Sequence, residues 1–203
     1  MIYLPDVINV VYCSSNFFSE VCAVSMTSLF ENNRHLKEIN VYIIDDGICK
    51  ENKDRIQQIS ERYERNVYFL TMPDPSIFFS DNRFTIKTLG HTYARMILGD
   101  VIPENVERII SLDSDTIVLN KIDELWSTEM GDHPIAGVDD CMGKVALVKT
   151  QHLKENSIHC NAGMYLIDLS VWRKENWTKQ FYRYIKGLFD KGIALGGYEE
   201  EVI

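Results

Sequence analysis

Two aspartates separated by one residue are the feature of this sequence best suited to chemistry. Asp113-Ser114-Asp115 follows directly on the apolar run Ile109-Ile110-Ser111-Leu112, which is typical of a buried strand. In extended chain, residues i and i+2 point to the same side, so both carboxylates can converge on one point. Two hard oxygen ligands suit Mg²⁺ or Mn²⁺, with water and phosphate oxygens completing the coordination shell. From spacing alone, the alternative is a turn with two solvated aspartates.

A different chemistry fits the same residues. Asp113-Ser114-Asp115-Thr116 resembles the first motif of haloacid-dehalogenase-type phosphatases, in which the first aspartate attacks phosphorus and the second is the acid and base. In that family the motif lies on the first strand, whereas at least three predicted strands precede Asp113 here. The sequence after Asp115 also lacks an obvious acidic metal-binding motif in helical context. A Mg²⁺-dependent phosphatase using Asp113 and Asp115 therefore stays open as an alternative.

The elements that position this pair alternate between strand and helix patterns. Apolar, β-branched runs predict strands at 8–13, 39–44, 67–70, 108–112, 117–119, 135–138 and 160–169. Periodic segments predict helices at 19–33, 51–63, 91–98 and 178–189. We expect the first helix to be capped by Ser19 and to have an inner face of Val21, Val24, Ser25, Ser28 and Leu29. Such alternation predicts an α/β fold with a mostly parallel central sheet flanked by helices, three-layered and Rossmann-like.

Length and charge narrow the class of protein. The 203 residues suffice for one well-buried core, so we expect a single domain over 1–203. A net charge of −9 makes nucleic acid an improbable partner, since such a surface repels phosphate backbones. No apolar run is long enough for a transmembrane segment, and no basic leader precedes the first strand. The five cysteines form no C-x-x-C pair, which favours a reducing, cytoplasmic location.

Seven short segments along the chain together resemble glycosyltransferase family 8, which includes bacterial lipopolysaccharide galactosyl- and glucosyltransferases and glycogenin. They are Cys13-Ser14-Ser15-Asn16-Phe17, Ile43-Ile44-Asp45-Asp46-Gly47-Ile48, Thr92-Tyr93-Ala94-Arg95, Leu112-Asp113-Ser114-Asp115, Asn161-Ala162-Gly163, Ile167-Asp168-Leu169 and Trp172-Arg173. The resemblance implies a GT-A type fold and a retaining transferase that uses a UDP-sugar and Mn²⁺ or Mg²⁺.

The resemblance also implies roles for individual residues. The segment Cys13 to Phe17, with Cys13, Ser14, Asn16 and Phe17 as its contacts, is expected to line the uridine pocket. Arg95 is expected near the diphosphate or sugar, and Ser114 near the ribose. Asp113 and Asp115 are the expected metal ligands. Three residues, Asn161, Ala162 and Gly163, are expected to face the donor sugar. Alternatives stay open: Phe17 as a core residue, Arg95 as the partner of a structural carboxylate, and Gly163 as a β-bulge.

Several departures from the family pattern affect the site. Serines occupy the first turn, where the family often has an aspartate that contacts the base. Glu199-Glu200-Glu201 stands in place of an Asp-Gln-Asp segment, which puts Glu199 and Glu200 at the donor sugar and makes them, with Asp113, the predicted catalytic residues. Glu200 is either a nucleophile or only a charge on an exposed turn. Lys87 is either a phosphate contact or a surface lysine.

The family's terminal His-x-x-Gly-x-x-Lys-Pro-Trp motif is absent from the sequence. Its histidine is usually the third metal ligand, so the chain is expected to be C-terminally truncated, and peripheral membrane association is possible through the absent part. The resulting hypothesis is transfer of glucose or galactose from UDP-glucose or UDP-galactose to a glycan or lipid-linked, lipopolysaccharide-type saccharide. The alternative is a fragment that binds the nucleotide sugar but is inactive.

Overall fold

The structure, a computed structural model, describes residues 6–74, 91–140 and 160–192. Within them the strands are β1 (Val7–Ser15), β2 (Glu38–Asp46), β3 (Asn66–Thr71), β4 (Arg108–Leu112), β5 (Ile135–Asp139) and β6 (Cys160–Asp168). The α-helices are α1 (Ser19–Asn32), α2 (Lys50–Arg62), α3 (Leu98–Val101), α4 (Asp123–Trp126), α5 (Leu169–Glu175) and α6 (Trp177–Asp190). A 3₁₀ helix, His91–Ile97, leads into α3.

The strands form one sheet in the order β3-β2-β1-β4-β6-β5. β1 pairs in parallel with β2 and β4, and β2 in parallel with β3, whereas β6 is antiparallel to both β4 and β5. The carboxyl ends of β1, β2 and β4 therefore lie at one edge of the sheet. Because β6 runs the opposite way, its first residues lie at that same edge. The predicted α/β class with a mostly parallel sheet is confirmed.

Apolar side chains pack on both faces of the sheet. On one face, α1 contributes Cys22, Met26, Leu29 and Phe30 to a cluster with Tyr12. On the other, Tyr93 and Ile97 of the 3₁₀ helix, Trp172 of α5 and Phe181 of α6 pack with Val11. Alternate residues of β1 thus serve opposite faces, as the period of two in a strand requires. This arrangement gives the three layers expected from the sequence.

The predicted inner face of α1 is wrong at two positions. Val21 and Val24 are 40% and 57% exposed, and the buried positions are Ser19, Cys22, Ser25, Met26, Leu29 and Phe30. Both sets follow the 3.6-residue period, rotated by about one residue from each other. The observed face buries Met26 and Phe30 as well as Leu29, which removes more apolar area from water. The helix is also not capped by Ser19, because Phe18 is the N-cap and the Ser19 hydroxyl donates to the Asn16 carbonyl (2.7 Å).

Two other elements differ from expectation. Ile117 to Leu119 is not a strand. The Val118 N–H donates to Ser28 Oγ (2.9 Å) and its carbonyl accepts from Asn32 Nδ2 (2.8 Å), so α1 side chains take the place of a neighbouring strand. Helix α5 was not predicted, although Asp168 caps it by accepting from the Val171 N–H at 2.9 Å. No helix in the described part of the chain has the length and apolarity needed to cross a bilayer.

Candidate active site

Asp113, Ser114 and Asp115 form a turn immediately after β4. The Asp113 N–H donates to the Gly163 carbonyl (2.9 Å), which extends the β4–β6 pairing one residue beyond the strand. The Thr116 N–H closes the turn on the Asp113 carbonyl at 3.2 Å. Ser114 is buried, Asp115 is exposed, and the Asp113 side chain is 39% exposed. The turn therefore presents two carboxylates to solvent on a backbone that is held at both ends.

The end of β1 lies directly beside this turn. The Ser114 hydroxyl donates to the Cys13 carbonyl at 3.0 Å, across 101 positions of sequence. Ser14 is buried, and burial raises the pKa of the Cys13 thiol to about 11. Cys13, Ser14 and Ser114, three of the residues predicted from resemblance to contact the nucleotide, are thus brought together at the carboxyl edge, where open α/β sheets bind ligands.

Asn16 and Phe17 follow β1 in the turn before α1. The Asn16 Oδ1 accepts from the Cys49 N–H (2.9 Å) and from Asn52 Nδ2 (3.1 Å), so this side chain ties the turn to the start of α2. Phe17 is 84% exposed, and its ring meets Phe18 edge-on at 5.2 Å. The alternative that Phe17 belongs to the core is wrong. Its ring is open to stacking by a planar partner such as a nucleobase.

Arg95 reaches the turn from the helical layer that covers the other face of the sheet from α1. Its side chain is only 7% exposed, and its guanidinium pairs with Oδ1 of Asp113. The carboxylate that pairs with Arg95 is therefore one of the two predicted metal ligands. This position gives the edge a fixed positive charge, which suits an anionic ligand such as a diphosphate.

Asn161, Ala162 and Gly163 open β6 across from Asp113. The Gly163 N–H donates to Asn161 Oδ1 at 2.8 Å. A Cβ on Gly163 would lie 2.8 Å from Asn161 Oδ1 and 3.6 Å from Asp113 Oδ2. The pairing of β5 with β6 is also irregular between Gly137 and Asp139, opposite this stretch of β6. Gly163 thus lies in an irregular part of the strand, and its missing side chain leaves space beside the carboxylate.

The donor set of the edge fits a hard divalent cation. Asp113 and Asp115 provide carboxylate oxygens on one tight turn, as Mg²⁺ and Mn²⁺ prefer. Within residues 6–74, 91–140 and 160–192, no group of three histidine, cysteine, aspartate or glutamate side chains is placed to hold a metal. The described residues would therefore supply two protein ligands and leave other positions to water and phosphate. The predicted residues Lys87, Glu199 and Glu200 lie outside the described part of the chain.

Thr116 is a site residue that sequence reasoning missed. Its hydroxyl donates to the Asp113 carbonyl at 2.8 Å and lies 3.1 Å from the Ser25 hydroxyl of α1. Ser25 is completely buried. A polar residue in the apolar face of a helix was the available signal, because a buried hydroxyl needs a hydrogen-bond partner.

Comparison with known proteins identifies the family of the chain. The sequence model of Glycosyl transferase family 8 matches residues 9–190. General stress protein A of Bacillus subtilis (strain 168) is 26% identical over 181 residues, which cover 89% of this chain and 62% of that protein. Lipopolysaccharide 1,3-galactosyltransferase of Salmonella typhimurium (strain LT2) is 24% identical over 193 residues, which cover 89% of this chain and 54% of that protein. The chain thus spans a little more than half the length of these relatives.

The fold is shared with a solved galactosyltransferase. The crystal structure of LgtC in complex with donor and acceptor sugar analogs superposes with a TM-score of 0.79 at 22% identity, covering 96% of this chain and 69% of that one. At this sequence identity the structural similarity shows the fold alone, which is GT-A. The family match also overturns the phosphatase alternative, which shared only the Asp-Ser-Asp-Thr segment. Since the family model spans most of the sequence, the chain belongs to glycosyl transferase family 8.

Proposed function

We propose that this chain is the donor-binding part of a retaining hexosyltransferase that takes glucose or galactose from a UDP-sugar. The acceptor in this proposal is a glycan or a lipid-linked, lipopolysaccharide-type saccharide. Mn²⁺ or Mg²⁺ is the cofactor, held by Asp113 and Asp115. The described cysteines Cys13, Cys22, Cys49 and Cys160 are free thiols, which agrees with a cytoplasmic setting for the reaction.

One juxtaposition carries the proposal. The Asp-Ser-Asp turn is bonded to the end of β1 through Ser114 and Cys13 (3.0 Å) and to the start of β6 through Asp113 and Gly163 (2.9 Å). Two carboxylates, an exposed phenyl ring and a stretch of open backbone therefore share one edge. A nucleoside diphosphate sugar presents a planar base, a diphosphate and a sugar, which are the groups that such an edge is equipped to bind.

The chemistry follows from where charge develops. When the bond from the sugar to the diphosphate breaks, negative charge accumulates on the leaving diphosphate. A divalent cation, when bound, supplies the positive charge that offsets it. Asp113 and Asp115 hold and orient that charge in this proposal. Arg95, buried beside Asp113, adds a fixed positive charge on the same edge, and the Gly163 backbone allows the sugar to lie close to Asp113.

Retention at the anomeric carbon needs either a protein nucleophile or attack on the face that the diphosphate leaves. We propose attack on that same face, assisted by the leaving group. Glu200 is the alternative nucleophile in this proposal, and the family resemblance implies that Glu199 contacts the donor sugar. Replacement of Glu200 by glutamine tests this choice. Loss of turnover together with trapping of a glycosyl–enzyme adduct in the unchanged chain would favour the nucleophile.

The proposal is tested by UDP release from UDP-glucose and UDP-galactose, with and without Mn²⁺. We expect metal-dependent release, and Asp113→Asn or Asp115→Asn should lower it by about a hundredfold, because each removes a charged oxygen ligand. Asp132→Asn is the matched control, since Asp132 is exposed in the turn before β5, at the opposite edge of the sheet. Metal-independent release that is equal in all four proteins would overturn the proposal.

A second candidate function is nucleotide binding without turnover. The observation that favours it is that no third histidine, cysteine or carboxylate joins Asp113 and Asp115 within residues 6–74, 91–140 and 160–192. Two protein ligands leave the cation more weakly held than three. Calorimetry with UDP and Mn²⁺, run beside the release assay, separates the candidates. Binding that is lost in Asp113→Asn, together with no release in any metal, would replace transfer by this second function.

A further inference from the structure

A chain of three hydroxyl groups, two of them on fully buried residues, runs from the core of the protein to the Asp-Ser-Asp turn. The Tyr12 hydroxyl on β1 lies 3.1 Å from Ser25 Oγ on α1, and Ser25 Oγ lies 3.1 Å from Thr116 Oγ1. Thr116 Oγ1 in turn donates to the Asp113 carbonyl at 2.8 Å. Tyr12 and Ser25 are both fully buried. These contacts link α1 to the backbone of a predicted metal ligand.

The direction of these hydrogen bonds follows from counting protons. A hydroxyl has one hydrogen to donate, and the Thr116 hydrogen is used on the Asp113 carbonyl, which can only accept. The Ser25 hydroxyl must therefore donate to Thr116, and the Tyr12 hydroxyl must donate to Ser25. All three bonds run the same way and end on Asp113. Successive bonds of one direction polarise and strengthen each other in a buried setting.

This series of hydrogen bonds starts at the Tyr12 hydroxyl, which keeps its proton. Burial raises the pKa of the Tyr12 phenol far above its usual value of 10.0. Tyr12 therefore keeps its proton, and stays a donor, near neutral pH. The direction of the three hydrogen bonds is consequently fixed in that range.

Helix α1 also holds the segment that follows the turn. Ser28 accepts from the Val118 N–H (2.9 Å), and Asn32 donates to the Val118 carbonyl (2.8 Å). Farther along, the Ile122 N–H donates to Asn33 Oδ1 at 3.0 Å. These bonds locate the segment, whereas the contacts from Ser25 and Thr116 act on the turn itself.

We propose that Ser25 and Thr116 are positioning residues for the donor site, acting through the carbonyl of Asp113. A fixed carbonyl fixes the peptide plane between Asp113 and Ser114, and with it the direction in which the two carboxylates leave the turn. Arg95 holds the Asp113 side chain from the opposite layer, so the turn is constrained from both faces of the sheet. The inference rests on the proposed function, because it assigns a role in binding cation and diphosphate.

The experiment measures the affinity for Mn²⁺ in the presence of UDP, from the electron paramagnetic resonance signal of unbound Mn²⁺. We expect Thr116→Val to weaken binding by roughly threefold to tenfold, the range for one lost hydrogen bond. Ser25→Ala should weaken it less, because the bond from Thr116 to Asp113 remains. Thr116→Ser keeps the hydroxyl and should restore the affinity. Thr27→Ala is the matched control, because the Thr27 hydroxyl of the same helix donates to the Ala23 carbonyl (2.7 Å) and makes no contact with the Asp-Ser-Asp turn among the described residues.

The double variant makes the test specific. If Ser25 acts only through Thr116, adding Ser25→Ala to Thr116→Val should cost no further affinity, whereas independent losses of packing would add. Tyr12→Phe is a second probe that keeps the ring and removes only the first donor of the hydrogen-bond series. It covers the case in which Thr116→Val fails to fold.

The outcomes separate the two proposals. Mn²⁺ and UDP that fail to bind the unchanged chain would overturn the proposed function. Binding by the unchanged chain with equal affinity in Thr116→Val, Ser25→Ala and Tyr12→Phe would overturn the positioning role alone. Additive losses in the double variant would also overturn it. A loss in Thr116→Val that is absent from Thr116→Ser and is not increased by Ser25→Ala supports it.

Discussion

The guanidinium of Arg95 pairs with Oδ1 of Asp113, although the two groups differ greatly in burial. The Arg95 side chain is 7% exposed and the Asp113 side chain 39%. Arg95 comes from the 3₁₀ helix on one face of the sheet, and Asp113 from the turn after β4. The pair therefore joins a buried cation to a carboxylate that water and ligands can reach. Removal of one partner should thus change the stability of the protein by a different amount from removal of the other.

Removal of Asp113 should cost more stability than removal of Arg95. Asp113→Ala takes a carboxylate away from a guanidinium that water reaches poorly, so we expect a loss of about 2 kcal/mol in the free energy of unfolding. Arg95→Met leaves a half-exposed carboxylate that water can solvate, and we expect a loss of less than about 1 kcal/mol. Urea denaturation of both variants measures the difference. Equal losses would contradict the assigned asymmetry.

Arg95 and a cation also compete for the same carboxylate. In the absence of nucleotide, Arg95→Met should therefore bind Mn²⁺ more tightly than the unchanged chain, by roughly threefold to tenfold. Asp113→Asn serves as the control, because it removes the contested charge and should bind Mn²⁺ weakly with or without Arg95. If the double variant Asp113→Asn, Arg95→Met still binds Mn²⁺ more tightly than Asp113→Asn alone, Arg95 and the cation do not compete for Asp113.

Gly163→Ala should impair the donor site while leaving the fold largely intact. The new Cβ would lie 2.8 Å from Asn161 Oδ1, and the exposed Asn161 side chain can turn outward if it gives up the hydrogen bond from the Gly163 N–H. We expect a shift in the melting temperature of less than about 4 °C and a loss of UDP-sugar affinity of roughly tenfold or more. Combining it with Asn161→Ala removes the clash. If the affinity then returns to that of Asn161→Ala alone, the space beside Asp113 is not needed by the donor.

Gly99 should tolerate no side chain, because the Trp172 indole fills its place. A Cβ on Gly99 would lie 2.3 Å from Trp172 Cδ1 and 2.6 Å from Nε1. The indole has little room to retreat, since its Nε1 donates to Thr178 Oγ1 (3.0 Å) and its ring packs on Phe181. We expect Gly99→Ala to destabilise the protein by about 2–3 kcal/mol.

Gly187→Ala is the matched control for Gly99→Ala. Gly187 lies inside α6, and a Cβ there would meet no atom within 4 Å. The change should stabilise the protein by about 0.5–1 kcal/mol, because alanine is more favourable than glycine in the interior of a helix. Calorimetric melting of both variants gives the comparison. A similar shift in the two variants would contradict the packing around Trp172.

The cysteines should differ sharply in their reaction with thiol reagents. Burial raises the pKa of Cys13 and of Cys22 from the usual 9.0 to about 11, whereas Cys49 is exposed. At pH 8 about one in a thousand of the Cys13 and Cys22 thiols is then a thiolate, the reactive form. We expect Cys49 to be labelled first at pH 8, and labelling of Cys13 and Cys22 to accelerate steeply toward pH 10.

Mass spectrometry of labelled peptides checks this order, and Cys49→Ser is its control. The raised pKa values also have a sign for stability. The folded chain keeps protons on Cys13 and Cys22 that the unfolded chain releases, so stability should fall as the pH rises from 9.0 to about 11. Labelling of Cys13 as fast as Cys49 at pH 8, or stability that does not fall over this range, would contradict the raised pKa of these thiols.

Local pattern was enough to predict the class of fold, and it singled out the two carboxylates that are proposed to bind the metal. The periodicities of strands and helices can be recognised from neighbouring residues alone. An Asp-Ser-Asp segment that follows an apolar run is likewise expected at the end of a strand, without knowledge of the rest of the fold. Helix α1 shows the limit of this approach. Its sequence contains two overlapping apolar stripes, and only packing against the sheet selects Cys22, Met26 and Phe30 over Val21 and Val24.

The groups that support the carboxylates were decided by tertiary structure. Ser25 and Thr116 are 91 positions apart, and Ser114 and Cys13 are 101 apart, so no local pattern links them. The antiparallel course of β6 brings Gly163 to Asp113, and the layer on the other face brings Arg95 to the same residue. By itself the sequence therefore determined the class of fold and supplied the residues that are proposed to bind a cation and a diphosphate. Strand order and layer packing, which depend on burying apolar surface across the whole chain, decided what holds them there.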